Sequence, residues 1–390
     1  MNNRILLTTT IAVLLAAIIV LPRQSHAQEV LLDTDTGWTV EVSGAFPVFL
    51  VTSNTNNYSS NGDDQVATRI MSGFNPANIT VSVHAPTQNG INVSGIFQIN
   101  NHLQGPSIQN DGLFESRIAD IIIAGDFGTF NAGKGFGIFN SSSIADAGSG
   151  LGIGRFGGPD AANATLGRIG TGYTYANFNP RITYTTPDMD GLSLKVGLIN
   201  PEKPGGTSNR SADIETATPR IEGQVNYLHS FDSGSAEFWA SGLYQQVDVV
   251  AQDYSYNFSG WEIGSKLSVD NFVLQGSYSH TNSIGADGLI GLNISGGSGL
   301  DQANIDGTQW YGEATYNFGD MILGASYGEG SQQQGSSPVG SAPDITNKLA
   351  MAFARFTITD NLQIMLELQD FASQAQANYR AAIVGTQLTF

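Results

Sequence analysis

The sequence predicts an all-β protein: one sixteen-stranded antiparallel transmembrane barrel with a long third loop folded into its lumen. Three observations lead there. Strand-length runs alternate apolar and polar residues along the chain, while no stretch past residue 27 is long and apolar enough to be a transmembrane helix. The connections between these runs alternate long and short, as they do when one end of a barrel faces the periplasm and the other the exterior. Composition agrees: only 13% of residues are charged and 47 are glycine, with Asn, Ser, Thr and Gln frequent among β-formers.

Residues 1–27 read as a cleaved secretory signal peptide, with Arg4, an apolar run over 11–21 and a small-x-small end at Ser25-His26-Ala27. The run is shorter than the ~20 residues that a membrane anchor needs. Cleavage leaves 14 basic residues against 34 acids, a net charge of −20, on the barrel domain 28–390. This acidic balance argues against a nucleic-acid partner. The chain has no cysteine, which excludes disulfides and Cys-ligated metal and suits passage through an oxidising periplasm.

The first strand is expected over 37–50, with Trp38, Val40 and Val42 on one face and Thr39, Glu41 and Ser43 on the other. A polar connection, 51–76, leads to strands over 77–85 and 90–101; in the second, Ile91, Val93, Phe97 and Ile99 oppose Asn92, Ser94, Gln98 and Asn100. Further runs follow at 114–124, 127–134, 180–186, 191–200, 218–229, 235–247, 257–269, 271–281, 306–318, 321–328, 347–358, 362–372 and 379–390. The long connections are 51–76, 102–113, 135–179, 201–217, 248–256, 282–305 and 329–346; the last, 373–378, is short. An even strand number closes the sheet and removes the edges that lipid cannot accommodate.

The apolar face is taken as lipid-facing. Near the short turns it carries Tyr227, Phe231, Phe272, Tyr316, Phe318, Phe356 and Phe390, an interfacial girdle rather than ordinary cross-strand aromatic pairing. The other face lines the lumen with Glu41, His84, Arg117, Arg181, Lys195, Arg220, Glu222, Glu237, Glu262, Lys266, Glu313, Arg355 and Glu367. Parity is enforced because Arg or Lys facing mid-membrane lipid costs ~2–4 kcal/mol. Asp120 breaks it by sharing parity with Ile118 and Ile122; either that strand faces a neighbouring subunit or it is bulged.

The 135–179 connection is too long to be idle. It is glycine-rich, has no apolar period, and contains Asp146, Asp160, Arg155 and Arg168. It is expected to fold inward and narrow the lumen. Its glycine spacings lack the Gly-Lys-Ser/Thr ending of a phosphate loop, no Gly-x-Ser-x-Gly elbow is present, and five histidines give no metal-ligand spacing. The sequence therefore implies no catalysis and no organic cofactor.

Several local motifs carry a family resemblance. They are Ser116-Arg117-Ile118, Gly125-Asp126-Phe127-Gly128-Thr129, Arg181-Ile182-Thr183-Tyr184-Thr185-Thr186-Pro187, Tyr316-Asn317-Phe318, Arg355-Phe356-Thr357 and the closing Gly385-Thr386-Gln387-Leu388-Thr389-Phe390. In this order, over essentially the whole mature chain, they resemble the Gram-negative general porins. The resemblance implies a homotrimer in the outer membrane, among lipid and lipopolysaccharide, with one pore per subunit. It implies a constriction in which acids of the third loop face basic wall residues. Arg117 matches the family's wall arginine, Lys134 stands where a basic residue commonly ends the fifth strand, and Asp146 and Asp160 are the candidates for the acidic side. The loop departs from the family by its length, its glycines and its own Arg155 and Arg168. Phe390 matches the aromatic signal read by the barrel-assembly machinery.

The function implied is diffusion of small hydrophilic solutes and ions, weakly cation-selective given the acidic balance. The counter-reading places the acids on outer loops, or on divalent cations bridging lipopolysaccharide, and leaves a positive eyelet. A substrate-specific channel would instead show an aromatic track or a basic cluster in the lumen, and an adhesive or structural barrel would depend on its loops.

Overall fold

The computed structural model describes residues 32–33, 36–58, 60–103, 114–156, 164–203, 214–250, 253–290, 303–333, 336–337, 340–341 and 343–390. The signal peptide expected at 1–27 lies outside them. No helix among the described residues is long and apolar enough to cross a membrane; the sheet does the spanning.

Strand β1 is Thr39–Thr55. β2 comes in two pieces, Gln65–Met71 and Ala77–His84, both paired with β1. There follow β3 (Asn92–Asn101), β4 (Phe114–Gly125), β5 (Gly128–Phe136), β6 (Phe178–Thr185), β7 (Leu192–Ile199), β8 (Arg220–Phe231), β9 (Gly234–Val249) and β10 (Tyr254–Val269). The circuit is completed by β11 (Phe272–Asn282), β12 (Asp306–Asn317), β13 (Met321–Gln333), β14 (Ile345–Thr359), β15 (Leu362–Ser373) and β16 (Tyr379–Thr389). Neighbours in sequence pair antiparallel, and β16 pairs with β1 through Ala45↔Thr389 to Thr55↔Tyr379, so the sixteen-stranded sheet closes.

The connection expected over 51–76 is mostly sheet. β1 continues to Thr55, and Gln65–Met71 returns beside it before an inward break at 72–76. Gly73 takes a φ of +81° in this break, and a Cβ there would strike both the Phe49 ring and the Gly152 carbonyl. The connection expected at 248–256 likewise shortens, because β9 runs on to Val249 and β10 begins at Tyr254.

Asp120 is explained by a bulge. β3 pairs Gln98 with Ile118 but Ile99 with Ser116, which leaves Arg117 as the extra residue of β4. Beyond it Ala119, Ile121 and Ile123 face outward, and Asp120 lies buried inside the barrel.

Exposed aromatic residues form two rows. Near the short turns stand Tyr227, Phe231, Phe272, Tyr316, Phe318 and Phe390, with Phe356 half-buried. A second row, absent from the sequence expectation, crosses β9–β13 as Tyr244, Trp261, Tyr278, Trp310 and Tyr327. Trp261 contacts Tyr278, and Trp310 contacts Tyr327, each at 5.6 Å between ring centroids. Phe272 and Tyr278 stand six positions apart on β11, ~20 Å of strand at ~3.3 Å per residue, with exposed Leu274 between them. Two ring levels bounding an apolar band of that order match the interfaces of a thin hydrocarbon layer.

Barrel closure engages the last residue. Phe390 N–H donates to the Gly44 carbonyl at 3.1 Å, Gly44 N–H donates back at 2.9 Å, and the Phe390 ring stacks on Phe46 at 5.5 Å. Deleting Phe390 removes both hydrogen bonds and the stack from the seam. We expect a clear fall in folded barrel in outer-membrane fractions, read as heat-modifiable protein on gels; wild-type yield would contradict this role.

Candidate functional site: the passage beside the 135–179 segment

The 135–179 segment leaves β5 at Phe136 and returns at Phe178. Its only helical pieces among the described residues are a 3-10 turn, Ser143–Ala145, and one α-turn, Ala147–Gly150. A chain so irregular must find partners for its backbone N–H groups elsewhere. Three wall glutamates supply them, and a fourth takes a side-chain hydroxyl of the segment. Glu222 of β8 accepts from Ile138 N (2.5 Å) and Phe139 N (3.0 Å). Glu262 of β10 accepts from the Ser143 hydroxyl. Glu313 of β12 accepts from Ala147 N (2.7 Å) and Gly148 N (2.9 Å). Glu367 of β15 accepts from Ile153 N (3.2 Å). Glycine content follows from the closeness of this contact: a Cβ on Gly152 would overlap the Glu367 carboxylate, and one on Gly148 would lie 2.8 Å from that of Glu313.

Apolar packing reinforces the polar ladder. Ile153 and Phe156 sit among Phe49, Met71, Leu349, Met365 and Phe371 on β1, β2, β14 and β15. Phe139 sits among Leu243, Val247, Tyr256 and Phe258 of β9 and β10. These strands therefore carry apolar residues on both faces where the segment covers them, which simple alternation does not convey.

The charges of the segment are largely consumed by its own anchoring. Asp146 is 1% exposed and accepts from Ser149 N (2.8 Å) and from the Tyr173 hydroxyl (2.8 Å). Arg168 is fully enclosed; it lies 4.0 Å from Asp146, donates to the Leu349 carbonyl at 3.2 Å and to the Ser326 hydroxyl, and stacks on Tyr311. Arg155, also enclosed, donates to the Ile169 carbonyl (3.2 Å), Gln376 (2.9 Å) and Asp287 (3.4 Å). Arg155 and Arg168 are thus enclosed rather than lining the cavity: buried guanidinium groups go where carboxylates and carbonyls can pair them. Lys134 is taken up by the Ser116 carbonyl at 2.6 Å. Asp160 lies outside the described residues.

Asp287 reveals a second inward segment that the sequence did not disclose. Residues 283–290, between β11 and β12, are buried or nearly so. Gly288 O accepts from Tyr175 N at 2.7 Å.

Between the 135–179 segment and the β3–β6 wall lies a cavity of about 860 Å³. Its charged border is His102, Glu115 and Arg117, and Phe74, Phe136, Leu166, Ile169, Tyr175 and Phe178 form much of the rest. Arg117 Nε donates to Glu115 at 3.0 Å, and His102 stands 3.3 Å from the same oxygen. The Arg117 guanidinium lies over the Phe178 ring at 5.4 Å. Glu115 is the more accessible partner, 39% exposed against 11% for Arg117. Burial pushes the Tyr175 hydroxyl up to about 12, so it stays neutral at physiological pH. Asp146 reaches the edge of the cavity but is enclosed. Among the described residues, the segment's side of the cavity is mainly apolar and the charge sits on β4 and just past the end of β3. Glu115 shares the parity of Arg117 on the expected 114–124 strand, whereas His102 falls in the connection expected at 102–113, where no period marks it.

The remaining wall residues form pairs. Arg181 contacts Asp120 at 2.8 Å, Arg220 contacts Glu222 at 2.7 Å, and Arg355 contacts Glu367 at 3.1 Å. Glu41 stands 3.7 Å from His84. Lys195 is half-buried opposite Gln224 of β8. Among the described residues no group of three or more His, Asp or Glu is placed to hold a metal ion.

Comparison with known proteins agrees with this architecture. The chain matches the sequence profile of the Gram-negative porins over residues 12–375. No curated protein matches it significantly. Among solved structures it resembles the outer membrane channel DcaP of Acinetobacter baumannii (TM-score 0.67, 12% identity, covering 92% of this chain and 99% of that one). It also resembles an anion-selective porin from Comamonas acidovorans (TM-score 0.61, 13% identity, 90% and 100% covered). A third is Salmonella typhi OmpF, solved as a complex with daunomycin (TM-score 0.60, 16% identity, 92% and 100% covered). At these identities the structures speak for the fold alone. The profile match, spanning nearly the whole chain, identifies an outer-membrane β-barrel channel rather than an enzyme: the chain belongs to the Gram-negative porin family.

Proposed function

We propose that this protein is a diffusion porin for small hydrophilic solutes and ions, in which residues 135–179 form the constriction and the cavity beside β3–β6 is the route left open. The observation that carries the reading is the ladder of wall glutamates, which hold the segment against the wall from β8 to β15 and leave the β3–β6 side uncovered. We further propose a weak preference for cations. Arg117, Arg155, Arg168, Arg181, Arg220 and Arg355 each lie within 4.0 Å of a carboxylate, so they add little uncompensated positive charge to a chain in which 34 acids outnumber 16 bases. A homotrimer fits the outward faces of β14 and β16, where Ala350, Ala352, Ala354 and Ala382 give a flat surface and the second aromatic row is missing. The test is the zero-current potential of reconstituted channels in a tenfold salt gradient. The sign for cation permeation is expected, and the opposite sign would refute the preference. A substrate-specific channel is the second reading, favoured by the aromatic and aliphatic border of the cavity.

A further inference from the structure

We propose that the cavity is a retention site for small organic cations, solutes that join an aromatic or aliphatic body to an ammonium group. The inference rests on the channel reading above and adds a ligand class to it. A passage selecting only by size and field would present opposed charges on both sides. Here Arg155 and Arg168 are enclosed, Asp146 is engaged within the segment, and the side formed by Leu166, Ile169 and Tyr175 is uncharged.

Across from that side, Glu115 carries the accessible charge. One of its oxygens takes both Arg117 and His102, which leaves the other for a ligand. Arg117 is less available: it is bonded through Nε to Glu115 and packed over Phe178. The rings bordering the same space favour the same sign. Phe136 lies 5.0 Å from Phe178 and 6.1 Å from Tyr175, centroid to centroid. Aromatic faces are negative and attract a cation close to them. Because Tyr175 stays protonated, the attraction does not depend on its ionisation. An ammonium near Glu115 with its apolar body against Phe136 and Tyr175 engages the most accessible charge and the rings together, whereas a carboxylate would meet Glu115 and ring faces and find only the less exposed Arg117. A volume of about 860 Å³ holds such a solute with water around it.

The experiment is block of ion current through the full-length protein in planar bilayers, with three probes. Phenethylammonium has both parts, ethanolammonium has the head without the body, and 3-phenylpropionate has the body with an anionic head. Saturable block by phenethylammonium is expected at a half-blocking concentration about fivefold below that of either comparator. Glu115→Gln and Phe136→Leu should each raise that concentration about threefold or more while ligand-free conductance steps, which report the intact barrel, persist. Equal block by ethanolammonium, stronger block by 3-phenylpropionate, or unchanged block in both variants would overturn the site. Absence of conductance steps in the unliganded wild-type protein would instead sink the channel reading on which it rests.

Discussion

Replacing Glu222 and Glu313 together by alanine should free the 135–179 segment from the wall. Each carboxylate accepts two backbone N–H groups of the segment, from Ile138 and Phe139 in one case and Ala147 and Gly148 in the other. A buried donor left without a partner costs about 1–3 kcal/mol. Four of them together remove most of the polar anchoring between Ile138 and Gly148, where Phe139 and the Ser143–Glu262 contact remain. The barrel should survive, because its strands pair with each other independently of the segment. Two readouts follow. Single-channel current should become noisy and rise in mean level, and trypsin should cut after Arg155 or Arg168, which are enclosed in the native protein. A variant as protease-resistant and as quiet as wild type would show that the apolar clusters, not the carboxylates, hold the segment.

Arg117→Glu should strengthen cation preference. The substitution changes the charge by two units beside the accessible Glu115. Two charge units about 8 Å from a permeating ion in a water-like medium are worth roughly 1 kcal/mol. This corresponds to about a fivefold rise in the cation-over-anion permeability ratio. The zero-current potential under a salt gradient reports it directly. An unchanged potential would mean that ions pass elsewhere than along β4.

Much of the fold could be read from the sequence because lipid imposes a period of two wherever a strand crosses it. Runs such as Ile91–Ile99 and the short turns at Gly319-Asp320 and Asp360-Asn361 needed nothing more. Legibility failed where that constraint lapses. Val51–Thr55 turns Thr52 and Asn54 outward, and its partner Gln65–Met71, although it turns Val66 and Ile70 outward, follows a run of Asn, Ser and Asp, so both read as loop. The bulge at Arg117 is a one-residue slip that reverses faces, and nothing in Ser116-Arg117-Ile118 marks it apart from the misplaced Asp120.

The site was legible only in part. Length singled out 135–179, and the wall acids that accept from it, Glu222 and Glu313, could be named from strand parity. The fate of Asp146, Arg155 and Arg168 could not, because it depends on Tyr173, Ser326, Leu349 and Asp287, some of them far off in the chain. The inward course of residues 283–290 carries no sequence period at all. The apolar lumen residues Leu243, Val247 and Leu349 answer to a partner that alternation alone does not reveal.

In the proposed channel, one side of the lumen is covered by the 135–179 segment and the other is the open route. The chain has no cysteine, so single cysteines can be read without background. Ser141 borders the cavity, whereas Ser279 of β11 is 1% exposed. The most direct measurement is the current through Ser141→Cys and Ser279→Cys channels during exposure to a charged, water-soluble thiol reagent. A stepwise loss of current is expected in Ser141→Cys and none in Ser279→Cys. Loss of current in Ser279→Cys with Ser141→Cys unaffected would contradict this arrangement.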